Sequence, residues 1–233
     1  MSPTASRTAG VATVATAIAF NVAFAALAAS FDYPDILRAP AETVLTAFAE
    51  GGIALILTWY AFALCAVAMI PVSLVIALGR GLTPVRVAAA ILGALAGLAQ
   101  SIGLLRWVFA VPMLAEADGD REAGFLNLNQ WGGVAIGEHL GYLLTAGFLV
   151  TMALADRADG SRIRPTLAVT SAALIAIGAG EGLALVVGGR PEGLSAASVA
   201  GYLGFSAWLI MAGLAMIFPR KEKGRPEAPF PIV

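Results

Sequence analysis

The chain has one cysteine, one histidine and few charges. A lone cysteine, Cys65, excludes an intrachain disulfide and any cysteine-built zinc or iron–sulfur site. It lies in an apolar run and reads as a small packing residue. A lone histidine, His139, excludes a paired-histidine haem within one chain. The dipeptide Glu138-His139 lacks the second histidine of an H-E-x-x-H zinc motif, and no Walker loop or dinucleotide fingerprint is present. The serines have no histidine–aspartate partners at matching depth. No metal site and no cofactor are predicted, and the balance leans away from an enzyme. A net charge of −1 offers no footprint for nucleic acid.

What is abundant is apolar. Hydrophobic residues are 59% and charged residues 12% of the chain, against roughly 45–50% and about 25% in soluble domains. The mean hydropathy is +0.86. With apolar runs of 18 residues or more, this describes an all-α, polytopic integral membrane protein embedded in a lipid bilayer. Nothing is left over for a soluble domain.

Six spans are predicted, at about Ala9–Ala29, Ile53–Leu78, Val85–Leu114, Trp131–Ala155, Thr166–Val187 and Ser195–Phe218. The small residues closing the first run also fit a signal peptide. Its length and its single preceding charge, Arg7, favour a retained span. Between spans 1 and 2, Val44, Leu45 and Phe48 share one helical face, and Glu42, Thr46 and Glu50 the opposite one. That pattern predicts a short interfacial helix, a connector or a lid. Pro71 and Pro112 predict a kink in span 2 and a bend in span 3. Residues 1–219 form one transmembrane domain, and 220–233 a basic, proline-rich cytoplasmic tail.

Ten lysines and arginines (Arg7, Arg80, Arg86, Arg157, Arg162, Arg164, Arg220, Lys221, Lys223, Arg225) fall on one side of these spans. Arg38, Arg121 and Arg190 fall on the other. The positive-inside rule then puts both termini in the cytoplasm, in a bacterial inner membrane. An even number of spans requires the termini to agree.

Four ionisable residues remain inside the spans: Arg106, Glu138, His139 and Glu181. Intramembrane charge is costly and marks a functional site by default. At ~1.5 Å per residue all four sit roughly 10–12 Å below the outer surface of the ~30 Å core. Asn21, Trp59, Tyr60, Trp107, Tyr142 and Tyr202 fall in the same slab. We expect one polar cluster, with Arg106 paired to Glu138 or Glu181, because arginine holds carboxylates by two-pronged hydrogen bonds. A second carboxylate without its own cation would have a raised pKa and could carry a proton, relayed by His139. Gln100, nearer mid-depth, lies about 120° around the helix from Arg106 and is expected to face elsewhere. Tethering of spans, a ligand or ion site, and a proton-handling site all remain open. Small residues at four-residue spacing (Gly93 and Gly97; Gly133, Gly137 and Gly141; Gly178 and Gly182) would let the helices approach closely. No internal repeat relates the two halves.

The blocks FDYPDILRAPAETVLTAF, LTWYAFAL, AQSIGLLRWVFAVPML and GEHLGYLLTAGF resemble successive segments of a bacterial membrane-protein family grouped as domain of unknown function 4386. The resemblance covers most of residues 9–217. It implies a multi-helix membrane protein and supplies no activity or cofactor. Arg106, Trp107, Glu138, His139 and Tyr142 lie within those blocks; the acidic 116–124 loop and the tail do not contribute. The candidate site is therefore Arg106, Glu138, His139, Glu181, Tyr142, Trp107 and Asn21. Three functions fit: proton-linked or small-ligand binding or transport; an accessory subunit of a larger complex, or of a homo-oligomer; or a membrane enzyme acting on a lipid or quinone.

Overall fold

A computed structural model describes residues 1–116, 119–158, 163–189 and 193–219. The predicted tail at 220–233 lies outside them, as do Arg162 and Arg190 of the charge count. Among the described residues six helical stretches are long and apolar enough to cross a membrane. The helices are α1 (Pro3–Phe31), α2 (Ala41–Leu78), α3 (Pro84–Phe109), α4 (Val111–Ala115), α5 (Arg121–Leu128), α6 (Gly141–Ala158), α7 (Ile163–Val186) and α8 (Leu194–Ile217). A 3-10 turn, Asp35–Arg38, lies between α1 and α2, and a π-helical stretch, Asn129–Leu140, joins α5 to α6.

The helix starts are written in the sequence. Ser2 caps α1 and Thr83 caps α3, each accepting a backbone N–H three residues on, and each helix has proline in its first turn. Both devices satisfy or remove orphan donors at a helix start. The bend in span 3 falls where α3 stops at Phe109 and α4 begins at Val111. Pro112 can supply no N–H to continue the ladder and biases the preceding backbone away from the helical region.

The interfacial segment is helical, and its apolar face is inward: Val44, Leu45 and Phe48 are all buried, in a cluster with Phe31, Trp59 and Trp107. It runs directly into span 2. The junction is Gly52, at φ 53° and ψ −151°, a backbone conformation that glycine adopts without steric cost. This is the one non-helical position recorded in α2, and Pro71 sits within helical backbone.

Each span packs chiefly on two neighbours. The order is α1, α2, α3, α6 with its π-helical extension, α7, α8, and back to α1. The result is a closed ring of six helices with consecutive spans side by side. Outward faces stay apolar, with Ile18, Val22, Leu57, Ile91, Leu95 and Ile177 exposed. In a soluble protein such a surface would aggregate; here it fits the hydrocarbon of a bilayer. Close approach within the ring relies on small residues, because apolar burial drives little association in lipid. At Gly103 and Gly137 the two backbones touch: a Cβ on Gly103 would lie 2.7 Å from the Gly137 Cα.

Candidate functional site

The ring encloses a cavity of about 930 Å³, counting space open to solvent, and all six spans line it. One wall is aromatic. Phe20, Phe24, Tyr33, Trp59, Phe62 and Trp107 face it, and the Trp59 and Trp107 rings stack with centroids 4.8 Å apart. Polar side chains also line it, namely Asn21, Gln100, Tyr142, Ser198 and Tyr202. Arg38, Arg106, Glu138 and Glu181 complete it.

The expected ion pair is corrected here. Arg106 pairs with neither glutamate. Its Nη1 donates to the Gly103 carbonyl of its own helix, and its Nη2 donates to Asn129 Oδ1 at 2.9 Å. Its guanidinium carbon also lies 5.0 Å from the centroid of the Trp107 ring. Gly133 makes room for it, since a Cβ there would stand 2.5 Å from Arg106 Nη2. The cation that serves the glutamates is Arg38. Its Nη2 donates to Glu138 Oε2 at 2.5 Å and its Nε donates to Glu181 Oε1 at 2.9 Å. Thus one guanidinium from the 3-10 turn clamps carboxylates on two spans. Burial disfavours the charge of Arg38, but the field of Glu138 and the hydrogen bonds to both carboxylates outweigh it. The guanidinium is held above its ordinary pKa.

The other candidates separate into groups. Glu138, Glu181, Arg106, Trp107, Tyr142 and Asn21 all line the cavity. The Asn21 side-chain amide also donates to the Ala17 carbonyl at 2.7 Å. His139 is not among the lining residues. Its Nδ1 lies 2.8 Å from the Ala179 carbonyl. A carbonyl only accepts, so Nδ1 carries the proton and the ring ties the π-helical stretch to α7. Gln100, expected to face away from Arg106, shares the cavity with it. Its Nε2 donates to Thr145 Oγ1 at 2.8 Å and to the Tyr202 hydroxyl at 3.0 Å.

Glu138, Gly133 and Gly137 belong to a 12-residue π-helical stretch. Such wide turns are rare, and they concentrate at functional positions. A second cavity, of about 520 Å³ counting space open to solvent, adjoins the first and is lined by Thr16, Cys65, Met69, Gly97, Thr145 and Phe205 among others. The two share Phe20, Gln100 and Tyr202. The two cavities therefore adjoin at these side chains.

The family model for a domain of unknown function (DUF4386) matches residues 8–213. The chain belongs to that family. No curated protein and no solved structure matches it. In this member of the family, all four charges of the cavity fall inside the matched region, as do Phe20, Gln100 and Tyr202. Arg38 is the residue that sequence reasoning missed. Two intramembrane glutamates against one intramembrane arginine leave a cation wanting, and a basic residue in a nearby connection is where it comes from.

Proposed function

We propose that the chain is a multi-pass protein of the bacterial cytoplasmic membrane that binds a small molecule in the central cavity and passes it inward. The observation that carries this reading is a pair of adjoining cavities that share Phe20, Gln100 and Tyr202 in their linings. A polar pair such as Gln100 and Tyr202 inside a ring of apolar helices costs stability unless its groups are satisfied, and it can serve passage or recognition. Its hydrogen bonds can be exchanged for bonds to a passing polar group or proton. The lysine and arginine asymmetry orients both termini to the cytoplasm and the charged cavity to the outer half of the bilayer.

The test is thermal unfolding of the protein in lipid nanodiscs against a broad library of small polar molecules of every charge. Stabilisation by at least one class, lost in Arg106→Ala or, should that variant not fold, in Tyr202→Phe, is the expected result. A folded protein that no class stabilises would sink the reading. A second reading, an accessory subunit, draws support from Arg38 itself, which braces two spans against a connection. Its mark is stoichiometric co-purification with other chains and poor survival alone.

A further inference from the structure

Arg38 differs from the other charges of the cavity. Arg106, Glu138 and Glu181 sit on spans, whereas Arg38 is carried on the short connection between α1 and α2. Its side chain is 24% exposed, against 16% and 9% for the two glutamates it joins. The guanidinium therefore enters from the open side and lies over carboxylates that sit deeper. We propose, building on the small-molecule reading above, that Glu138 and Glu181 form the recognition site for an organic monocation bearing an amidinium, guanidinium or ammonium head. Arg38 is a tethered stand-in for that head and must withdraw to admit it.

Charge fixes the class. With Arg38 in place, two arginines balance two glutamates. With Arg38 withdrawn, the cavity holds two carboxylates and Arg106, a net charge of −1. Isolated charge is poorly tolerated at this depth. A monocation restores neutrality, a neutral molecule leaves the deficit, and an anion doubles it. Geometry gives the shape of the head: the two carboxylates already hold a planar fork through two separate nitrogens. The aromatic wall gives the body, since ring faces attract a cation and pack an apolar skeleton.

Benzamidinium, benzamide and benzoate share one shape and carry charges of +1, 0 and −1, so they make a matched set of probes. Each is titrated against the wild-type protein and against Arg38→Ala in nanodiscs, read by calorimetry and thermal unfolding. Benzamidinium alone is expected to bind. Its affinity should rise about tenfold or more in Arg38→Ala, because removing the internal competitor raises the binding-competent population. The gain should vanish when Glu138→Gln and Glu181→Gln are added. If Arg38→Ala does not fold, Arg38→Gln keeps a polar but shorter side chain without the charge, and the same gain is expected there. Equal or better binding of benzoate or benzamide would overturn the cation assignment while leaving the small-molecule reading standing. Weaker binding of benzamidinium in both Arg38 variants would make Arg38 a ligand contact rather than a stand-in. Binding by none of the three would also overturn the assignment, and the broad library then judges the small-molecule reading on its own.

Discussion

The two ends of the bundle use the same side chains to different effect. At one end Arg38 spans Glu138 and Glu181 across a cavity. At the other end, on the order of 25 Å along the helix from Glu138, Asp156 is only 1% exposed. It accepts from Arg164 Nη2 at 2.8 Å and lies 3.6 Å from Arg80 Nη1. Arg86, also buried, donates to the Ala77 carbonyl at 3.1 Å. Neither cavity reaches Asp156. There one buried acid is flanked by two cations, Arg80 and Arg164, at the helix ends. At the Arg38 end two acids share one tethered cation beside open space. Bracing requires only the first arrangement; the second has room for something to change.

The comparison can be broken from its tight end first. Asp156→Ala should cost about 3–5 kcal/mol, the usual loss when one partner of a buried ion pair is removed, seen as a large fall in the thermal midpoint. A loss below about 1 kcal/mol would remove the contrast. Next, Gly133→Ala pushes a Cβ against the Arg106 guanidinium, and overpacking of this kind costs about 1–3 kcal/mol. If stability is unchanged, Arg106 is free to move and its present hydrogen bonds do not hold it. Third, the double-mutant cycle of Glu138→Gln and Glu181→Gln should show a coupling of about 0.5–3 kcal/mol, because both acids act on the same guanidinium. Additive losses would mean that Arg38 does not bridge them. The smallest effect belongs to the rim. Arg121 Nη2 lies 2.5 Å from Glu42, but the two side chains are 36% and 50% exposed. Glu42→Gln should cost less than about 1 kcal/mol. A larger loss would make the surface helix, rather than Arg38, the main fastening of this end.

Much of this architecture was legible beforehand. Six apolar runs, the break near Pro112 and the shared face of Val44, Leu45 and Phe48 are local signals, and local signals survive into the fold. Span ends moved by several residues because α1, α2 and the helix leading into α6 continue past the apolar stretch. The depth estimate brought Arg106, Glu138, Glu181, Tyr142, Trp107 and Asn21 to one level, and all six line one cavity. Depth cannot say which way a side chain turns. His139 is adjacent to Glu138, yet successive residues on a helix point about 100° apart, and it turned to α7. The angle between Gln100 and Arg106 on one helix separates them, while a cavity wide enough to touch six helices admits both. Arg38 was hidden by its address: in a connection it counted toward orientation, and only the tertiary fold folds that connection back over two carboxylates.

The most direct test of the account restores charge at position 38 chemically. Arg38→Cys, in a Cys65→Ala background, is treated with methanethiosulfonate reagents that add an ammonium, a neutral methyl or a sulfonate group, and unfolding is followed in nanodiscs. The account predicts that the ammonium adduct alone recovers most of the stability lost on removing Arg38, and that the recovery disappears when Glu138→Gln and Glu181→Gln are also present. Equal recovery by all three adducts, or recovery independent of the two glutamates, would contradict it.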